Sequence, residues 1–228
     1  SNSCGSNGQK EIRNSVFMNQ SGYAIYGGCG NQNSYNVYNS RISNNNYGIY
    51  NGSRVFNSII NNNANSYGID SFEEVENCTV VSNDYGIQGV NSVRNSIVFF
   101  NSTNQIENSS VEYSIVQGGA DGTGNLDSNP AFLDFYDFHL HESSPAIDAG
   151  NPSSSYYDVC YPPSQGTYLN DIGAYGGPGA CGWNDDSNGT ISVSQSYLDY
   201  GLVLTNTTNT LSIDILSDLS ISKDYNLT

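Results

Sequence analysis

The chain has 228 residues and a mass of 24.6 kDa, with 22 acidic against 6 basic side chains and a formal charge of −16. That balance makes nucleic acid a poor partner, because phosphate binding needs a basic face. It contains 33 Asn, 34 Ser, 24 Gly and 18 Tyr, and no apolar run approaches the ~18 residues of a membrane span.

The chain opens at Ser1-Asn2-Ser3-Cys4 with neither a charged n-region nor an apolar h-region, and so reads as a processed product or a piece of something longer. Few Lys, a pI near 4.1 and five Cys suit a secreted or cell-surface protein.

A repeat begins at residue 12. The pattern of apolar, any, Asn, small, any, apolar is met in Ile12-Arg13-Asn14-Ser15-Val16-Phe17 and again in Val37-Tyr38-Asn39-Ser40-Arg41-Ile42. It returns at Val55, Val75, Val93 and Val111, the last with Tyr113 in place of Asn, so the starts lie 25, 18, 20, 18 and 18 residues apart. A second motif keeps step: Tyr23-Ala24-Ile25, Tyr47-Gly48-Ile49, Tyr67-Gly68-Ile69, Tyr85-Gly86-Ile87 and a faded Asn104-Gln105-Ile106. The period is too short for paired helices, and Asn, Gly, Val and Ile argue for short strands between turns.

The expected fold is therefore all-β, a parallel solenoid with one repeat per coil. Stacked at about 4.8 Å, equivalent positions form columns, and an Asn column can hydrogen-bond along its length. Asn14, Asn39, Asn57, Asn77 and Asn95 are expected to form such a ladder. The interior columns are read as Ile12/Val37/Val55/Val75/Val93/Val111, Ser15/Ser40/Ser58/Cys78/Ser96/Ser114, Phe17/Ile42/Ile60/Val80/Val98/Val116 and Ile25/Ile49/Ile69/Ile87/Ile106. No strict six-residue beat survives within a coil, which favours the right-handed form. These V-x-N-S-x-I and N-x-x-Y-G-I coils resemble the right-handed parallel β-helix repeats of the pectate-lyase-like superfamily over roughly residues 10 to 117, a resemblance that includes non-catalytic members.

After Gln117 the beat stops. Residues 1–120 hold 8 acids and 5 bases, whereas 121–228 hold 14 acids and 1 base. Asn125-Leu126-Asp127-Ser128-Asn129-Pro130-Ala131-Phe132, Phe138-His139-Leu140-His141, Ser144 to Gly150 and Asp171-Ile172-Gly173-Ala174-Tyr175 follow in an order similar to the choice-of-anchor Q segments of secreted bacterial β-helix proteins. That resemblance implies export and a surface location, and no reaction. The segment is expected to close the open end of the solenoid, with Phe132, Phe135, Tyr136, Phe138 and Leu140 as cover. Residues 190–228 alternate apolar and polar in strand fashion and resemble the opening strands of Hydin-like immunoglobulin-type modules. Three regions result: coils over 1–117, a C-terminal cap over 118–181, and a linker with partial immunoglobulin-like strands over 182–228.

Material for catalysis is thin. The resemblance implies either an acidic calcium cluster beside an Arg or Lys base, as in lyases, or several Asp beside a His or Lys. Here Arg54 shares a column with Glu74, and Arg94 lies between Glu76 and Glu112, which reads as a charge ladder. Arg41 has no evident acidic neighbour. His139 and His141 alternate on one strand face and belong to the cap motif. Asp127, Asp148 and Asp171 recur at its motif sites; they read first as turn caps and, as metal candidates, suit Ca²⁺. Asn184 to Gly189 matches half a calcium loop, but Gln195 stands where the bidentate Glu belongs.

Cys78 replaces Ser in the small interior column and reads as an inert buried thiol. Cys4 and Cys29 are one coil apart and Cys160 and Cys181 share the cap, so two disulfides are expected, although four paired Cys allow three connectivities. No cofactor is expected. The reading is a secreted or surface, non-catalytic spacer or adhesive module, with Tyr38, Tyr47, Tyr67 and Tyr85 as stacking platforms for a polysaccharide or cell-surface partner. A lyase or epimerase fragment and a self-associating filament subunit are the alternatives.

Overall fold

A computed structural model of the chain describes residues 10–27, 35–184, 191–193 and 215–217. They fall in two compact units, 1–183 and 184–228. In the first unit the first five coils each lay down three short strands. The first coil is Lys10–Arg13 (β1), Val16–Met18 (β2) and Tyr23–Tyr26 (β3); the second is Tyr35–Tyr38 (β4), Arg41–Ser43 (β5) and Tyr47–Tyr50 (β6). Arg54–Phe56 (β7), Ile59–Asn61 (β8) and Tyr67–Asp70 (β9) follow, then Glu74–Glu76 (β10), Thr79–Val81 (β11) and Tyr85–Gln88 (β12). The fifth coil is Ser92–Arg94 (β13), Ile97–Phe99 (β14) and Asn104–Glu107 (β15), and the sixth has Val111–Glu112 (β16) and Ile115–Val116 (β17).

Strands one coil apart pair in parallel, giving sheet one in the order β1-β4-β7-β10-β13-β16, sheet two as β2-β5-β8-β11-β14-β17 and sheet three as β3-β6-β9-β12-β15. This is a parallel β-solenoid. The register stacks Val37, Val55, Val75 and Val93, then Ile42, Ile60, Val80 and Val98, then Ile49, Ile69 and Ile87, and all of these are fully buried or nearly so. The interior columns expected from the repeat are the columns of the core.

The second to fifth coils each turn three corners, and each of these corners holds a residue in the left-handed region. Asn14, Asn39, Asn57, Asn77 and Asn95, with φ from 44° to 48°, turn the chain from sheet one to sheet two. Asn19, Asn44, Asn62, Ser82 and Phe100 turn it towards sheet three, and Asn51, Ser71, Gly89 and Asn108 turn it back. Asn tolerates this backbone better than most other side chains, which accounts for its recurrence at these corners.

The Asn14 column does not bond along itself as expected. The amide ladder runs through a different position, three residues after the sheet-two apolar column. Asn45 donates to Asn63 Oδ1 at 3.0 Å, Asn63 to Asn83 at 2.9 Å, Asn83 to Asn101 at 3.1 Å and Asn101 to Gln105 Oε1 at 2.8 Å. The same oxygens accept the backbone N–H of the preceding coil, and Asn63, Asn83 and Asn101 also donate to carbonyls of sheet two. At the Asn14 corner the carboxamides project away from the core, so their partner is another segment.

That segment is 118–183, and it corrects the expectation of a simple end cap. Only its start extends the stack: Leu126 bridges Ile115 in parallel, and Asn125 bonds to Ser114 and Val111 as another rung would. The remainder runs back along the side of the solenoid. Phe138, Leu140, Ala146, Ile172 and Ala174 bury the outer faces of Ile59, Val81, Ile97, Phe99 and Ile115 in a second core. Phe132 joins its edge, whereas Phe135 and Tyr136 stay largely exposed, Phe135 meeting Phe100 edge-on at 5.5 Å.

Residues 170–182 then climb the Asn column. Asn77 donates to Asp171 O and Asn170 Oδ1, Asn57 to Ala174 O at 3.1 Å and Gly176 O at 2.7 Å, and Asn39 to Gly179 O at 2.9 Å. The approach is close enough to demand glycine: a Cβ at Gly179 would sit 2.1 Å from Asn57 Oδ1. Cys160 and Cys181 form a disulfide within this segment, while Cys78 is a buried free thiol whose pKa burial pushes up to about 12. Cys4 and Cys29 lie outside the described residues. In the second unit Ile191–Val193 (β18) and Ile215–Ser217 (β19) pair antiparallel.

Replacing Asn83 by Leu should cost ~1–3 kcal/mol or more in urea unfolding, since Asn63 loses its acceptor and the ladder is cut. Gly179→Ala should leave the coils folded and selectively increase proteolysis within 170–182. Equal protease resistance in wild type and variant would contradict the close docking described above.

Candidate functional site

The Y-G-I motif builds an outward face on sheet three. Gly48 packs so closely on the next coil that a Cβ would lie 2.1 Å from Gly68 O. In β6 and β9 the two central residues are buried and the outer two partly exposed. First and fourth positions of each strand therefore face solvent together.

The first positions are Tyr23, Tyr47, Tyr67, Tyr85 and Asn104, and the fourth are Tyr26, Tyr50, Asp70, Gln88 and Glu107. Tyr23 and Tyr47 ring centroids are 4.9 Å apart, Tyr26 and Tyr50 stack at 5.3 Å, and Tyr67 and Tyr85 lie at 4.8 Å. Tyr67 OH donates to Glu107 Oε2 at 3.0 Å. Desolvation first, and then Glu107, push the Tyr67 phenol up to about 12, so it remains a donor at any physiological pH. Among the described basic residues Lys10, Arg13, Arg54 and Arg94 lie on sheet one and Arg41 on sheet two, so this face holds aromatic rings, amides and carboxylates without a base. It can offer ring surface and hydroxyls to a polyol, and it repels polyanions.

Tyr38 stands apart from Tyr47, Tyr67 and Tyr85. It lies on sheet one, with the Arg13 guanidinium 3.8 Å from its ring centre and Phe56 edge-on at 5.6 Å. The charge ladder is on the same sheet, where Glu74 bridges Arg54 at 3.4 Å and Arg94 at 2.5 Å.

The carboxylates of 118–183 are turned towards its own backbone. Asp127 accepts from Gly118 N–H, and Asp148 from the N–H and hydroxyl of Thr167. Asp171 accepts from the N–H of Asp148 and of Gln165, at 2.8 and 2.7 Å. Asp158, which the motif reading missed, accepts from the N–H of Gly177 and of Asp171. Asp158 and Asp171 are buried, and desolvation is the main reason their carboxyls rise, to about 7 and about 6; neighbouring carboxylates add to it. Asp148, Asp158 and Asp171 are thus one coupled group, with Asp127 elsewhere.

His139 stacks on Tyr175 at 3.8 Å and pairs with Asp137 at 2.9 Å, and that contact lowers the Asp137 carboxyl. His141 contacts Ser143 Oγ at 2.8 Å. Among the described residues no three His, Cys, Asp or Glu side chains are arranged to hold a metal ion. Arg41 does have a partner: it donates to Tyr136 O and lies over the Phe138 ring, so it holds the 132–140 loop to sheet two. The half calcium loop extends from Asn184 into residues outside those described. Comparison with protein-family models, with curated proteins and with solved structures found no match for the chain.

The carboxylate group generates a pH dependence of definite sign. Ordinary Asp titrates near 3.9, so a folded-state pKa of about 7 at Asp158 and about 6 at Asp171 means the fold prefers the protonated forms. Their stabilising contribution is complete below about pH 4 and is lost as pH rises through 6 and 7. Melting followed at Trp183 should give a lower transition at about pH 8 than at about pH 5, and Asp158→Asn should narrow the gap. An unchanged gap in that variant would refute the assignment.

Proposed function

We propose that the chain is a non-catalytic, secreted or cell-surface β-helix module that contacts glycan through the solvent face of sheet three. The observation that carries this reading is the pair of outward rows containing Tyr23, Tyr47, Tyr67 and Tyr85 beside Tyr26, Tyr50, Asp70 and Glu107. Sugars present apolar C–H faces that pack on aromatic rings and hydroxyls that pair with amides and carboxylates, and Tyr supplies both kinds of contact in one rigid side chain. A stacked solenoid is also a stiff spacer, because each coil is tied to its neighbours by ladders on three sheets.

The extracellular setting is supported by the disulfide at Cys160 and Cys181, the scarcity of Lys and the likeness of the 125–176 motifs to choice-of-anchor Q segments. The lyase alternative loses its best candidate base, since Arg41 is occupied by Tyr136 and Phe138.

Affinity electrophoresis in gels containing neutral or acidic polysaccharides tests this. At least one neutral polymer should retard the protein. The double variant Tyr67→Ala and Tyr85→Ala should weaken retardation about tenfold or more, equivalent to ~1.4 kcal/mol. Unaltered retardation in that variant, or preference for a polyuronate, would defeat the reading.

A further inference from the structure

A second feature lies on the other side of the molecule and does not depend on sheet three. Where residues 178–182 climb past sheet one they leave a groove of about 390 Å³. One side is Arg13, Tyr38, Phe56 and Glu76, and the other is the backbone around Pro178, Gly179, Cys181 and Gly182. That volume is at the small end of ligand pockets, which run to ~300–1,000 Å³. It suits one ring rather than an extended chain.

We propose that this groove is a binding site for a single neutral pyranose unit, such as the end of a glycan chain or a free glycoside. Three properties of the lining select that chemistry. Phe56 and the Tyr38 ring it meets edge to face at 5.6 Å, the latter also under the Arg13 guanidinium at 3.8 Å, supply apolar ring surface for one sugar face. Arg13 and Glu76 line the same groove and supply donors and acceptors for hydroxyls. Both charges are already compensated, Arg13 by Glu11 at 3.0 Å and Glu76 by Arg94 at 3.7 Å, so a charged ligand finds no uncompensated ion to pair with. Burial, and then Glu74, raise the Glu76 carboxyl, and hydroxyl donors from a sugar would relieve that.

Three devices hold the far wall: the Asn39 bond to Gly179 O, the seating of Gly182 so close that a Cβ would lie 2.3 Å from Asn39 Oδ1, and the bond between Cys160 and Cys181. Occupancy of the groove is therefore tied to an intact disulfide. Reduction by an external thiol or phosphine, with two electrons and two protons converting the cystine to two thiols, frees the wall and lowers affinity.

The chain has a single Trp, and Trp183 follows directly on Gly182 of the wall, which gives a local reporter. Fluorescence titration with methyl glucoside, galactoside and mannoside, alongside glucuronate and glucosamine, should show saturation by at least one neutral glycoside in the millimolar range. Phe56→Ala and Glu76→Gln should each weaken that Kd about fivefold or more, and Tyr168→Ala, at an exposed ring outside the groove and outside sheet three, should not. Phosphine reduction, and separately the Cys160→Ser and Cys181→Ser pair, should weaken it to a similar degree. Backbone NMR shifts on titration should be confined to residues around Tyr38, Phe56 and Cys181, which keeps the test independent of any one variant's folding. Absence of saturation by every neutral glycoside at ~100 mM, tenfold preference for a charged sugar, or shifts centred on sheet three instead would overturn the assignment.

Discussion

The fold depends on how its corners satisfy buried polar groups. A coil of about twenty residues must reverse direction within one or two residues at each corner, and the backbone can do so only by entering the left-handed region. The N–H groups at these corners still continue the coil-to-coil ladder, as from Asn39 to Phe56 O and from Asn62 to Val81 O, so a corner residue must adopt that conformation and keep its polar groups bonded. Asn answers both demands, because its short carboxamide tolerates the conformation and carries a donor and an acceptor of its own. One residue past the corner, where the carboxamide points inward as at Asn63 and Asn83, it ties three successive coils together. Where it points outward, as at Asn57 and Asn77, it leaves an unsatisfied row that another segment must meet.

Sheet two imposes the second requirement. Its strands carry apolar residues at outer as well as inner positions, in runs such as Val80-Val81 and Ile97-Val98-Phe99. Parallel strands buried on both faces read as continuous apolar runs rather than alternation. Exposing Ile59, Val81, Ile97 and Phe99 to water would forfeit roughly 1.5–3 kcal/mol for each side chain, so cover is a condition of stability. Segment 118–183 meets both needs at once, laying apolar side chains on sheet two and Gly-rich backbone on the Asn corner. This is why it belongs to the same compact unit as the coils despite its lack of regular strands.

The repeat made the core columns legible, since a fixed period places equivalent residues in register and burial selects the apolar ones. Column Ile42, Ile60, Val80, Val98 could be read without any structure. The amide ladder was legible too, and was misplaced. Asn45, Asn63, Asn83 and Asn101 each stand three residues beyond that column, a regularity obscured by the more conspicuous Asn of the V-x-N-S motif. The path of 118–183 could not be read from spacing. Its contacts join residues more than 90 positions apart, such as Asn77 with Asp171 and Asn57 with Gly176, and nothing local in either partner specifies the other. The uninterrupted apolar runs of sheet two were the one available hint that something covers that face. Asp158 lay outside every motif, and only burial beside Asp171 makes its carboxyl unusual.

What remains exposed after these demands are met is where function has room to act. Inward positions of sheet three hold Ile49, Ile69 and Ile87 with almost no variation, because the core admits little else. The fourth position of the same strands passes from Tyr26 and Tyr50 to Asp70, Gln88 and Glu107 along the stack. No ladder or packing rule of the solenoid requires that gradient from aromatic to acidic. Tyr is a costly choice for an outward strand position if solubility alone were at stake, since it leaves apolar ring area in water. The local rules of the fold therefore explain the inside of sheet three and leave its outside unexplained, and residues that a fold does not need are the ones on which a binding role can rest.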